Sequence, residues 1–277
     1  MKHPKRLFSK AAAALLSGLV LLGLSGCADP AVEALRAAVD DPQRPEADRA
    51  RDQYRHPFET LSFFGVRPEH TVVELWPGGG WYSRILAPYV NSGEVKGALF
   101  AVHFPAEDAS EYQNKSYEKY RAGITEDPLL EGIYLSRLSK NPDTDICKAG
   151  TADVVLTFRN LHNWHAGGYL IDIYQKAYKC LKNGGIFGVV EHRKAGATNE
   201  EMAKTGYMEP LVVKSQIELA GFTFVGESEI NANPNDTADH PEGVWTLPPT
   251  FRLGDVDREK YAAIGESDRF TMKFVKR

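Results

Sequence analysis

The sequence predicts an α/β protein: a doubly wound, mostly parallel sheet of seven strands with an antiparallel last strand, preceded by an N-terminal helical cap. Three observations carry this expectation. Short apolar runs alternate with helical patterns from Thr71 to Glu191, as the crossovers between parallel strands require. One such run bears an acid, Glu74, and is followed at once by Gly78, Gly79 and Gly80 before a helical pattern, a loop without β-carbons that lets backbone approach a ligand. Two late runs, residues 222–230 and 269–276, are separated by a proline- and asparagine-containing excursion. A pair joined in that way does not fit a purely parallel sheet, so the last strand is expected antiparallel.

The elements follow in order. Lys2, Lys5, Arg6 and Lys10 give a basic start, and residues 11–24 are almost wholly apolar, a run too short for a permanent transmembrane helix and suited to a processing signal. It ends in Leu24-Ser25-Gly26-Cys27, which resembles the bacterial lipobox and implies lipidation at Cys27. Residues 1–27 are therefore read as signal peptide and lipobox, 28–57 as helical cap and linker, and 58–277 as the main domain. Apolar residues recur at helical spacing over 31–39 and stop at Asp40-Asp41-Pro42; an arginine-rich segment then reaches Pro57. Phe58, Leu61, Phe63 and Phe64 mark a further helix ending at Gly65. Strands are expected at 71–75, 98–103, 133–138, 152–157 and 185–191, and helices at 81–89, 112–122, 168–181 and 214–220.

Composition narrows the function classes. The net charge is −4 and no polybasic block follows Cys27, so neither nucleic acid nor an anionic membrane face is an expected partner; the membrane is reached through the lipid tether. Beyond Cys27 only Cys147 and Cys180 remain. Export to an oxidising compartment would let them pair, or they are two small buried thiols.

The segment Val73-Glu74-Leu75-Trp76-Pro77-Gly78-Gly79-Gly80 resembles the first motif of class I S-adenosylmethionine-dependent methyltransferases, whose first strand ends in an acid followed by alternating glycines. Gly78 and Gly80 match two of those positions, while Trp76 stands where the first glycine usually is. Together with Trp81-Tyr82 and the lead-in Tyr54-Arg55-His56-Pro57, it looks like an exported, lipoprotein branch described as predicted methyltransferases. The likeness runs from about Asp41 to the C-terminus. Residues 152–157 resemble the superfamily's fourth strand, Leu181-Lys182-Asn183-Gly184-Gly185 its turn into the fifth, and Ser267-Asp268-Arg269-Phe270 the opening of its final strand.

The resemblance implies a Rossmann-like methyltransferase fold with S-adenosylmethionine as cofactor. The residues it assigns to the cofactor are Glu74, Trp76, Pro77, Gly78, Gly79, Gly80, His103, Phe104 and Asn160. His103 takes the place of the acid that closes strand two and binds both ribose hydroxyls; imidazole cannot accept two hydrogen bonds from a diol. Methyl transfer from a sulfonium needs alignment of the acceptor and, for oxygen or nitrogen nucleophiles, removal of a proton. His162, in the loop after strand four, is the leading candidate base, His192 the second, and Tyr54 is placed to close the pocket from the cap. Trp76, Trp81 and Trp164 offer aromatic faces to the sulfonium. Arg49, Arg51 and Arg55 read as a solvated helix face, with a grip on an acidic substrate as the alternative. His162, His165 and His192 show no ligand spacing, so no metal is expected.

Two functions are therefore open: a methyltransferase acting on a small molecule, or an exported binding protein that kept the fold without the reaction. The second follows from location, because S-adenosylmethionine is made in the cytoplasm, whereas the chain is expected on the periplasmic side of a bacterial membrane. Ala28 after the cysteine favours the outer membrane. A nicotinamide dehydrogenase is set aside, since His103 is not a ribose-binding acid and the last strand is expected antiparallel.

Overall fold

The computed structural model describes Met1 and residues 29–277, so the apolar leader and the lipidation expected at Cys27 lie outside the described residues. The strands are β1 (Thr71–Leu75), β2 (Ala98–His103), β3 (Tyr134–Arg137), β4 (Ala152–Phe158), β5 (Leu181–His192), β6 (Phe222–Ser228) and β7 (Arg269–Lys276). They form one sheet in the order β3-β2-β1-β4-β5-β7-β6. The first five are parallel, and β7 enters antiparallel between β5 and β6, as the late strand pair predicts.

The helices are α1 (Pro30–Val39), α2 (Glu46–Arg49), α3 (Asp52–Arg55), α4 (Pro57–Phe64), α5 (Ser83–Val90), α6 (Glu111–Glu126), α7 (Leu161–Ala166), α8 (Leu170–Cys180), α9 (Asn199–Thr205), α10 (Pro210–Leu219) and α11 (Arg258–Ile264). Helix α1 starts where Asp29 accepts a hydrogen bond from the Ala31 amide and Pro30 presets the first turn. Its buried Leu35 and Val39 share a core with Val72, Ile85 and Leu156 on one face of the sheet. Val73, Leu75 and Val155 point to the other face, where α8 and α10 cover them through Ile173, Tyr174 and Ile217. Residues buried on both faces explain why β1 and β4 read as continuous apolar runs.

Three local expectations are refined. The helix expected at 168–181 is α8, and a short helix the sequence did not announce, α7, precedes it across Gly167-Gly168. Strand β5 begins at Leu181, four residues before the expected start, because Leu181 pairs with Ala152 and the ladder then shifts register before Val154 meets Ile186. Cys147 and Cys180 are joined by a disulfide with Cα atoms 5.5 Å apart, which ties the approach to β4 to the end of α8.

Candidate functional site at the carboxyl ends of β1 and β4

The sheet order changes direction at β1, with β2 on one side and β4 on the other, and open α/β sheets bind ligands outside such a switch point. A cavity of about 690 Å³ lies there, large enough for a nucleoside-sized ligand. The loop after β1 forms its floor with Trp76, Pro77, Gly78 and Gly79. Phe158, Arg159 and Asn160 come from the end of β4, and Asp48, Arg51 and Arg55 from the cap. Trp245, Thr250 and Arg252 reach in from the excursion between β6 and β7.

The glycines act differently from one another. A β-carbon at Gly78 or Gly79 would meet nothing within 4 Å, so the space above both is open. Gly80 does not line the cavity; its β-carbon would approach Tyr120 at 3.2 Å, and its amide closes the turn onto Pro77. Gly78 needs its freedom for another reason, a φ of +59°.

His103 is buried behind this loop and does not line the cavity. Its Nδ1 accepts from the Phe104 amide at 2.9 Å, so its proton sits on Nε2, which donates to the Gly78 carbonyl at 3.0 Å. Burial pushes its pKa down to about 4, keeping it neutral. In a trans peptide the N–H points opposite the C=O. Drawing the Gly78 carbonyl back to His103 therefore turns the Gly79 amide toward the cavity, where it has no hydrogen-bond partner among the described residues. The expectation that His103 meets a ribose directly is corrected: it shapes the loop from behind, and Ser110, Tyr112 and Gln113 line that end of the cavity.

Trp76 and Arg159 both hold left-handed backbone, with φ of +50° and +62°. They end β1 and β4 at the cavity, and such conformations cost a non-glycine residue roughly 1–2 kcal/mol each. The Trp76 ring packs edge-on against Phe104 and Trp164 at 4.7 and 5.5 Å. Trp164 is fully buried, and Trp76, Phe104 and Trp81 line the wall. Asn160 donates to the carbonyls of Leu75 and Trp76 at 3.0 and 3.4 Å, fastening the ends of β4 and β1 together. Glu74 lines the cavity, is buried and accepts from Ser83 at 2.5 Å. Burial raises its pKa to about 7.

The proposed bases lie one layer back. His162 is buried, with Nδ1 3.1 Å from Glu191 and Nε2 2.9 Å from the side-chain amide of Asn163, and it is Asn163 that lines the cavity. His192 contacts Ser267 through Nδ1, and burial beside His162 pushes its pKa well below the usual histidine range. Tyr54 packs instead against Gly265 and does not reach the cavity; Arg51 and Arg55 occupy the cap wall expected of it. These two arginines are thus no solvated helix face, whereas Arg49 bonds the Arg44 carbonyl.

Sequence spacing offers no third ligand beside His162 and His192, yet the fold brings Glu191 to them, with ligand-type atoms of all three within 4.8 Å of one another. Glu191 accepts from the amides of Leu161 and His192 at 2.6 and 2.8 Å as well as meeting His162. In this arrangement it anchors the first turn of α7. Glu191 closes an apolar strand, and that is the sequence signal by which it stands out.

No protein-family model matches the chain, and no curated protein matches it in sequence. Its fold, however, is that of S-adenosylmethionine-dependent methyltransferases. A methyltransferase of this kind from Aquifex aeolicus superposes with a TM-score of 0.53 over 89% of this chain and 98% of its own, at 14% identity. A geranyl diphosphate C-methyltransferase from Streptomyces coelicolor, solved with Mg²⁺, geranyl diphosphate and S-adenosylhomocysteine, gives 0.51 over 87% of this chain and 88% of its own, at 13% identity. The cyclase SpnF gives 0.53 over 89% and 92%, at 15% identity. A cyclase among such neighbours illustrates that this fold carries more than one reaction.

Proposed function

We propose that the protein is an S-adenosylmethionine-dependent methyltransferase acting on a small molecule. The observation that carries this is the loop of Gly78 and Gly79: open above both glycines, lining the cavity at the switch point, and turned by His103 so that the Gly79 amide is free for a ligand. The residues present fit the polar tail and aromatic surroundings of this cofactor. Gly78 and Gly79 would hold its tail, and Trp76, Phe104 and Trp81 would flank its sulfonium and base. When bound, S-adenosylmethionine supplies an electrophilic methyl group. The chain's part is to align the acceptor and shed water, with Asn163, which bonds the Glu191-held His162 and lines the cavity, as one polar group open to the acceptor.

The chain is further proposed to work on the periplasmic side of a bacterial membrane, tethered through Cys27, with residues 28–57 as its cap. The disulfide between Cys147 and Cys180 supports an oxidising compartment. A second reading, a non-catalytic exported binding protein, is favoured by Trp76 in a glycine's position and by His103 facing away from the cavity.

The test is transfer of a labelled methyl group from S-adenosylmethionine to a periplasmic small-molecule extract. Label incorporated by the wild-type protein and lost with Gly79→Val supports catalysis. Cofactor binding without incorporation supports the binding protein instead.

A further inference from the structure

The cap and the last strand concentrate positive charge behind one side of the cavity. Arg51, Arg55 and Arg269 all direct guanidinium groups at the single carboxylate of Glu266: Arg51 Nε at 2.6 Å, Arg55 Nε at 3.2 Å, and Arg269 Nη2 in closer contact still. Arg55, Glu266 and Arg269 are each at most 3% exposed. Burial alone would raise the Glu266 pKa, yet Arg269, Arg55 and Arg159 hold it well below the usual carboxylate range.

Arg159 adds a fourth guanidinium beside this group. It lines the cavity from the end of β4, and among the described residues its side chain makes no hydrogen bond or ion pair. Burial, with Arg269 next, pushes its pKa down to about 10. The carboxylates that face the cavity make no direct contact with it: Asp48 pairs with Arg84 at 3.5 Å, and Glu74 is bound to Ser83. At the mouth, Arg252 lies 4.3 Å over the Trp245 ring and 3.6 Å from Glu242, adding a cation to the same cavity. Arg159 is half-buried, so its guanidinium is open to the cavity, and a planar two-pronged donor matches a carboxylate or phosphate.

We propose that the methyl acceptor is a small anion, and that its carboxylate or phosphate group is held by Arg159, with Arg51, Arg55 and Arg252 supplying the surrounding positive field. This rests on the methyltransferase reading for the word acceptor, while the anion site stands on the arginines alone. A small anion fits the geometry because the arginines converge on one cavity and do not form a stripe across the surface. Arg159 would touch the acceptor itself, as its anchor.

The experiment is calorimetric titration of the full-length protein with inorganic phosphate, repeated with Arg159→Met and Arg252→Gln, and in parallel with S-adenosylhomocysteine. Arg252 is exposed, so its variant keeps the test open should Arg159→Met fail to fold. The expected result is phosphate binding that weakens at least tenfold in Arg159→Met, about threefold in Arg252→Gln and steeply with added salt. S-adenosylhomocysteine affinity is expected to stay within about twofold of wild type in both variants. No phosphate binding up to about 50 mM, or equal binding in wild type and both variants, overturns the proposal. A tenfold loss of S-adenosylhomocysteine affinity in Arg159→Met also overturns it, by giving the arginine to the cofactor. Phosphate binding that depends on Arg159, with no S-adenosylhomocysteine binding, leaves the anion site standing and removes the methyltransferase reading.

Discussion

His103 and Gly78 are joined by a hydrogen bond of 3.0 Å from imidazole Nε2 to backbone carbonyl, and this contact sets the direction in which the loop after β1 presents its amides. Replacing His103 with alanine leaves the Gly78 carbonyl without its donor and frees the peptide to turn. The expected cost is about 1–3 kcal/mol in unfolding free energy and about tenfold in affinity for S-adenosylhomocysteine. Urea unfolding and calorimetry on the same variant measure the two effects.

The same residue predicts a pH dependence. Its folded pKa of about 4 lies below the ordinary 6.5, so between those values the unfolded chain takes up a proton that the folded chain refuses. The stability it contributes is present above pH 6.5 and is lost as pH falls toward 4, by up to about 3 kcal/mol. Unfolding midpoints measured across that window in wild type and His103→Ala should converge as the solution is acidified.

Glu74 works in the opposite sense. Its folded pKa of about 7 lies above the ordinary 4.5, so the folded state is favoured most below 4.5 and loses stability as pH rises through 7. Glu74→Gln keeps an acceptor for Ser83 and removes the buried charge. It is expected to be more stable than wild type at pH 8 by up to about 3 kcal/mol, and nearly equal at pH 4.5. Denaturant titrations at the two pH values check this.

Glu266 gathers Arg51, Arg55 and Arg269 from opposite ends of the chain. Glu266→Gln leaves their charges without a counter-ion and is expected to destabilise the fold by roughly 3–5 kcal/mol. Adding phosphate should restore part of that loss if the anion site is filled.

The disulfide spans 33 residues between Cys147 and Cys180. Closing a loop of that length is worth about 4 kcal/mol through the unfolded chain. Cys147→Ser should lower the thermal midpoint, and a reducing agent should lower wild type to the same value.

Much of the fold was legible because buried parallel strands write themselves as apolar runs: β1, β2 and β7 begin and end where the sequence predicts them. Helix α7 was not, since Leu161-His162-Asn163-Trp164 carries no long periodic pattern and is held by Glu191 from another strand. Helix α9 did have a readable start, the Thr198 and Glu201 capping box. Within the site, Gly78 and Gly79 were legible from their place after an acid-bearing strand. His103 was assigned to the right strand end but the wrong side of the loop, which its Gly78 bond decides. The arginine cluster could not be read, because Arg51 and Glu266 are 215 residues apart and only the closing of β7 onto the cap brings them together.

Calorimetric titration of the purified full-length protein with S-adenosylhomocysteine measures whether the Gly78–Gly79 loop holds S-adenosylmethionine. Gly79→Val is the matched control: its side chain enters the open space, and Gly79 does not occupy the left-handed region. A dissociation constant of about 10 μM is expected in wild type and a loss of at least about 100-fold in the variant, with the urea midpoint unchanged. No heat of binding at about 1 mM ligand, or equal binding by both proteins, would contradict it.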